Sequence, residues 1–273
     1  MNRLFVTLLL FSGTAMAQDN QDAHPMLESK WWVNVGSYLP KRTFKASANA
    51  TAAGLERDFE FEGTFGLDDK PSVFMAELGW QFGEKWGAAV QYFNSSRKGQ
   101  RTLDETFEWQ DVTYELGATL KGETNIDIMR VFFARQFFDN GPHHLRVGLG
   151  VHWIELGATV AGQATLDDQS TEFRRSSASA SLPVPNIGAW YRYSSNDRWL
   201  WTARADWLDA NIDNYNGGIW NVSGGVNYRI WDHVGIGASY QYFQLSGALK
   251  EPNWRGEIKT TFTGPYLYLS GYW

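Results

Sequence analysis

The last twelve residues, 262–273, alternate with a period of two. Thr263, Leu267, Leu269 and Trp273 fall on one side, and Tyr266, Tyr268, Ser270 and Tyr272 on the other. Successive side chains of a strand point to opposite faces, so this spacing predicts a strand running to the final residue. The same alternation recurs upstream over 31–39, 72–82, 86–94, 144–157, 184–193, 198–209, 218–230 and 234–244, and in a weaker form over 125–138. It is sharpest at 198–209, where Trp199, Trp201, Ala203, Ala205 and Trp207 alternate with Leu200, Thr202, Arg204, Asp206 and Leu208. About ten antiparallel strands follow from this count. The short connections 83–85, 139–143, 194–197 and 231–233 alternate with longer ones, of which 95–123 and 158–181 read as long polar loops.

Both faces of these strands are informative. One is Trp, Val, Leu and Ala with hardly a charge. The other is Gly, Asn, Gln and Ser, with Glu77, Arg146, His152, Arg192, Arg204, Asp206 and Arg229. Aromatics make up 16% of the chain, including 14 Trp, yet the mean hydropathy is −0.39. A barrel in lipid resolves that conflict, with apolar side chains outward, aromatic girdles at both interfaces and a polar lumen. A soluble barrel needs the reverse arrangement.

The N-terminus favours the first solution. Residues 1–17 carry Arg3, a short apolar run and a small-x-small end at Ala15-Met16-Ala17, the pattern of a secretory leader. That apolar run is too short to span a bilayer as a helix. Removing it leaves a polar lead-in, 18–30, and a barrel over 31–273. The net charge of −6 becomes one unit more negative, with no basic patch for nucleic acid. There is no Cys, hence no disulfide framework and no thiolate zinc site.

The terminal aromatic, Trp273, resembles the closing-strand signature of bacterial outer-membrane β-barrels. Asp58-Phe-Glu60, Gly66-Leu-Asp-Asp69, the strand at 86–93 and the Gly264-Pro-Tyr-Leu-Tyr-Leu269 strand together resemble a group of proteobacterial outer-membrane β-barrel proteins. The resemblance covers most of the chain after the leader, on strand and turn features. It implies an all-β fold: a single transmembrane antiparallel up-and-down barrel of about ten strands (eight or twelve as alternatives) with periplasmic termini. It also implies residence in the outer membrane as a monomer, contact with membrane lipid and lipopolysaccharide, and insertion by the barrel assembly machinery through the strand ending in Trp273. It carries no activity.

A barrel this narrow is expected to be filled by side chains. Glu77, Arg146, His152, Arg192, Arg204, Asp206 and Arg229 are the candidate lumen charge network, either a salt-bridged plug or a constricted passage for small anions. No catalytic set assembles. Of the five histidines only His152 faces the lumen. Asp232-His233 resembles half of an omptin-type Asp–His site, with Asp68-Asp69 as a possible carboxylate pair, but it falls at the turn end of the strands. No metal-ligand spacing and no cofactor motif is present. The expected function is therefore a non-enzymatic outer-membrane barrel with a structural, surface-interaction or narrow-pore role and a filled polar lumen. The alternatives are a barrel enzyme acting on lipid A or surface peptides, and a secreted soluble barrel binding an apolar ligand.

Overall fold

The computed structural model describes residues 23–50, 55–59, 72–103, 107–109, 112–114, 116–166, 170–212, 215–251 and 254–273. The leader, most of the lead-in, Asp68-Asp69 and the Gly66–Asp69 motif lie outside these. A single turn of 3-10 helix, Pro25–Leu27, precedes fourteen strands: β1 (Trp31–Tyr38), β2 (Lys41–Ala50), β3 (Leu55–Phe59), β4 (Val73–Phe82), β5 (Trp86–Thr102), β6 (Phe107–Trp109), β7 (Val112–Tyr114), β8 (Thr119–Asp139), β9 (His143–Leu166), β10 (Ser170–Ser194), β11 (Trp199–Ile212), β12 (Tyr215–Trp231), β13 (Val234–Glu251) and β14 (Trp254–Tyr272).

Ten of them close a barrel in the order β1-β4-β5-β8-β9-β10-β11-β12-β13-β14, and β14 pairs back with β1. Every neighbouring pair is antiparallel. The seam is sealed to its last residue: Trp31 N–H donates to the Trp273 carbonyl (2.9 Å) and Trp273 N–H to that of Trp31 (3.0 Å). The four short connections all lie at this end, called the turn end below. Gly83 (φ 62°) and Gly141 (φ 87°) supply left-handed backbone in two of them.

The faces sort as the alternation predicts. Trp201 and Ile236 are half exposed on the outside, while Arg204 and Asn227 are buried within. On β9 the outward residues Leu145, Val147, Leu149, Val151 and Trp153 form the apolar stretch, and Glu155 follows. Nine residues of tilted strand span roughly 23 Å along the axis, close to the height of a lipid-facing belt. The belt is edged by aromatics. Trp31 stacks on Trp80 (5.2 Å) and Trp199 meets Tyr228 (4.7 Å) at the turn end, and Trp207 meets Trp220 (6.2 Å) at the other rim. Just beyond that rim the outside turns polar, with Tyr92 Oη and Asn94 Nδ2 each donating to Asp127 (2.7 Å).

Two expectations need correction. The stretches 95–123 and 158–181, read as loops, are mostly wall. β5 and β8 pair as far as Thr102 with Thr119, and β9 and β10 as far as Leu166 with Ser170. The alternation of Ser177, Ser179 and Ser181 with alanine and leucine is a strand pattern without the usual apolar face, because both faces of this wall lie above the belt. The lead-in is not a bare tether either. Its residues 24–27 fold back and bury His24, Met26 and Leu27.

The belt yields a test. Leu149, two-thirds exposed at the middle of the belt, should not tolerate a charge. Leu149→Arg is expected to lose about 2–4 kcal/mol in refolding into lipid vesicles, against almost nothing for Ser179→Arg above the belt.

Candidate functional site

The interior is layered along the axis. At mid-height a charged layer joins opposite walls. Arg130 on β8 reaches across to Asp206 on β11, with Nη2 2.7 Å from Oδ1 and Nε 2.6 Å from Oδ2, both side chains sealed from solvent. Arg204 lies beside them, 3.0 Å from Glu77 and 3.8 Å from Asp206, and donates to Gln91 (3.1 Å). Asn221 donates to Asp206 (3.3 Å) and meets His152 Nε2 (3.1 Å), whose Nδ1 faces Asn186 Oδ1 (3.1 Å). Asn34 donates to Glu77 (3.3 Å). Nine side chains from eight strands thus form one network.

Of the seven residues singled out from the sequence, Glu77, His152, Arg204 and Asp206 meet in this network. The other three stand apart. Arg146 donates to Gln136 (3.1 Å) and Gln81 (2.5 Å) nearer the turn end. Arg192 lies over the rings of Trp32 (4.6 Å) and Trp190 (5.9 Å). Arg229 pairs with Asp197 at the turn-end rim (2.5 Å). The sequence reading missed Arg130, the most buried cation of the lumen. It sits on β8, where Ile126, Ile128 and Phe132 point inward while Met129, Val131 and Phe133 point outward, so both faces read as apolar. A bulge between Gln136 and Phe138 leaves Phe137 and Phe138 both outside and blurs the pattern further. The usable signal was parity. Position 130 shares a face with Thr124 and Gln136.

The expectation of a polar lumen fails in the outer half. Tyr38, Phe93, Phe243 and Phe262 meet there edge to face, with Phe93 5.6 Å from Tyr38 and 5.5 Å from Phe262. Ile128, Ile154, Val184 and Ile219 complete the cluster, and Tyr114 of β7 and Leu103 join it further out. Strand ends beyond the belt have no lipid to face, so their apolar side chains gather inside as in a soluble protein. Arg42 crosses this layer and donates to the Ser95 carbonyl (3.3 Å) and to Thr124 Oγ1.

At the turn end the folded-back lead-in closes the mouth. His24 N–H donates to Ser194 Oγ (2.8 Å), its ring lies 5.3 Å from that of Tyr272, and its Nδ1 accepts from Met26 N–H (3.2 Å), capping the helical turn. Met26 and Leu27 pack with Trp32, Phe132, Trp190 and Leu200. Burial first, then the Arg229 and Arg192 guanidiniums, push the His24 imidazole down to about 4, against the weaker pull of Asp197 and Asn227.

Between plug and charged layer lies a cavity of about 60 Å³, lined among others by Trp32, Glu77, Trp190, Arg192 and Arg204. Gly79 makes room for the indole of Trp32, since a Cβ there would lie 2.0 Å from its ring. Among the described residues no group of three or more His, Asp or Glu is placed to hold a metal ion.

No family model matches the sequence, and no curated protein matches it. Solved structures do. The outer-membrane protease OmpT of Escherichia coli aligns with a TM-score of 0.54 at 9% identity, over 89% of this chain and 97% of that one. The toluene transporter TodX of Pseudomonas putida aligns at 0.35 and 8% identity, over 91% and 92%. Ail, the attachment invasion locus protein of Yersinia pestis, aligns at 0.26 and 13% identity, over 88% and 98%. The fold is that of bacterial outer-membrane β-barrels. Identities this low convey the fold alone, and scores as low as those of TodX and Ail carry no further weight. Asp232-His233, compared above with half of an omptin site, lies in the β12–β13 turn, where His233 Nδ1 sits 3.0 Å from the Tyr272 carbonyl.

Two outcomes follow. Asp206→Asn or Arg130→Met leaves a buried charge unpaired and should cost about 3–5 kcal/mol, whereas the double variant Arg130→Met/Asp206→Leu should recover most of it in urea unfolding from micelles. The plug should be acid-labile. A histidine whose pKa falls on docking favours the docked state above its free value of 6.5 and loses that preference as pH falls towards 4. Docking should weaken about thirtyfold between pH 8 and pH 5, read as a fall in the amide protection factor at 26–28, and His24→Gln should flatten the profile.

Proposed function

We propose that the chain is an integral outer-membrane protein with a closed, non-conducting lumen, serving as a membrane-anchored platform that holds its extended strands above the outer leaflet. The carrying observation is the fully sealed Arg130–Asp206 bridge across mid-lumen, bounded by the aromatic cluster on one side and the Met26–Leu27 plug on the other. An ion entering this bore would have to displace a salt bridge and two packed apolar layers. The outer-membrane location rests on the leader-like residues 1–17, the apolar belt with its aromatic rims, and the shared fold. The turn end then faces the periplasm. Assembly would be directed by β14 together with Trp273, which follows it and is exposed at the seam.

The strand extensions support the platform role. β9 runs for 24 residues, roughly 80 Å of chain, more than twice what the belt uses. Their outer faces carry Ser177, Ser179, Ser181, Lys98 and Glu123, a solvated surface fit for contact with lipopolysaccharide or another macromolecule. Catalysis is left out of the proposal because the Asp232-His233 pair lies at the end opposite the extensions, with one ring nitrogen against a backbone carbonyl.

Planar-bilayer recording on the purified protein tests this reading. No conductance above baseline is expected at neutral pH, together with heat-modifiable gel mobility and recovery in the outer-membrane fraction. Stable unitary conductance steps in the wild-type protein would refute the closed lumen.

A further inference from the structure

The cavity between plug and charged layer is short of negative charge. Among the described residues Arg192 and Arg204 line it with Glu77 as the one carboxylate, and Glu77 is taken up by Arg204. Among the described residues Arg192 has no carboxylate within ion-pair distance. Its guanidinium carbon lies 4.6 Å from the Trp32 ring centroid and 5.9 Å from that of Trp190, and among the described residues no hydrogen bond engages its in-plane N–H edge. Such an edge matches the two oxygens of a carboxylate.

The remaining lining repeats the preference. Trp190 Nε1 is a buried donor without an acceptor, and Trp190 borders the cavity at 8% exposure, whereas Arg204 Nε faces Asp206 Oδ2 at 3.8 Å. Asn34 Oδ1, 7% exposed, is the one buried acceptor there left without a donor. Polar groups left unpaired around one space point to a guest. A space of about 60 Å³ exceeds what a single water needs and excludes anything beyond a few heavy atoms. Donors outnumber acceptors, so the matching guest accepts hydrogen bonds and carries negative charge.

We infer that this cavity is a binding site for one small carboxylate, held edge-on by Arg192 with Trp190 Nε1 as a further donor, and enclosed by the lead-in. Met26 lines the cavity from the turn end, so undocking of residues 24–27 widens access from that side. The aromatic cluster blocks the opposite direction, so the site takes up solute from one side without passing it through.

Equilibrium dialysis of the full-length protein in detergent against labelled acetate and formate tests the site. Saturable uptake of one acetate per chain is expected, with a dissociation constant on the order of 0.1–10 mM, the range open to so small a ligand. Arg192→Gln should weaken it at least tenfold, Arg192→Lys should retain part of it, and Arg229→Gln at the rim should leave it unchanged. Heat-modifiable mobility reports that each variant is folded. Absence of saturable uptake, uptake unchanged in folded Arg192→Gln, or equal displacement by chloride would overturn the assignment. Conductance is a separate readout. A conducting barrel that binds acetate defeats only the closed-lumen proposal, and a silent barrel that does not bind defeats only this one.

Discussion

Hydrocarbon offers no partner to a backbone amide, and that single deficit dictates the architecture. Every N–H and C=O inside the belt must bond to a neighbouring strand, so the sheet has to close. The β1–β14 seam is where the condition is met or lost, and it is paired from Trp32–Tyr272 to Tyr38–Tyr266. Close approach there relies on Gly36. A Cβ on it would sit 1.9 Å from the Leu267 carbonyl oxygen. Once the sheet is closed with ten strands, the bore is fixed, and the inward residues have to fill it.

Filling explains why charge sits in the middle and grease at the ends. At mid-height the bore is ringed by belt, far from water at either mouth, and polar side chains there can be satisfied only by each other. The Arg130–Asp206 bridge and its amide neighbours meet that demand. Replacing such a pair by apolar residues of equal volume is often neutral for stability, so its value lies in specificity. A guanidinium on β8 and a carboxylate on β11 can satisfy each other in one register only. The mouths have a different problem. Each needs a seal against water, which the lead-in provides at one end and the Phe93–Phe243–Phe262 rings at the other.

The sequence disclosed those parts of the fold where one face meets lipid. The alternation of Trp199, Trp201 and Trp207 with Arg204 and Asp206 is unambiguous because the two environments differ so strongly. Above the belt the contrast disappears. The wall at 177–181 alternates serine with alanine, and its strand reads as loop. Half of the charged layer was legible for the same reason. Arg204, Asp206, Glu77 and His152 stand out against small neighbours, whereas Arg130 is hidden among Ile126, Ile128 and Phe132. The plug was illegible because it rests on Met26 and Leu27, two apolar residues without periodicity in a polar segment. Only the mouth of the barrel gives them something to cover.

The Gly264-Pro265 step of the closing strand can be assigned a physical task. It faces the break between β1 and β2, where Leu39 and Pro40 interrupt the ladder and Leu39 N–H donates to the Pro265 carbonyl (2.9 Å). A side chain at 264 would strike the Leu39 carbonyl oxygen at 2.2 Å, so glycine lets the two chains cross closely. Proline on each strand removes one donor from the ladder there, a defect tolerable at an irregularity but not in mid-sheet. Below this point β14 pairs with β1 inside the belt. Above it β14 pairs with β2, which turns away to pair with β3 while β4 ends at Val73. The wall therefore changes composition at the upper rim of the belt. Arg42, two residues past Pro40, carries its guanidinium inward to Ser95 and Thr124, tying β2 to the β5–β8 side where no β4 remains to bridge them. Lipid enforces closure below that level. Above it, in water, the ladders run on to Thr102–Thr119 and Leu166–Ser170, and the apolar cluster and side-chain hydrogen bonds add to them.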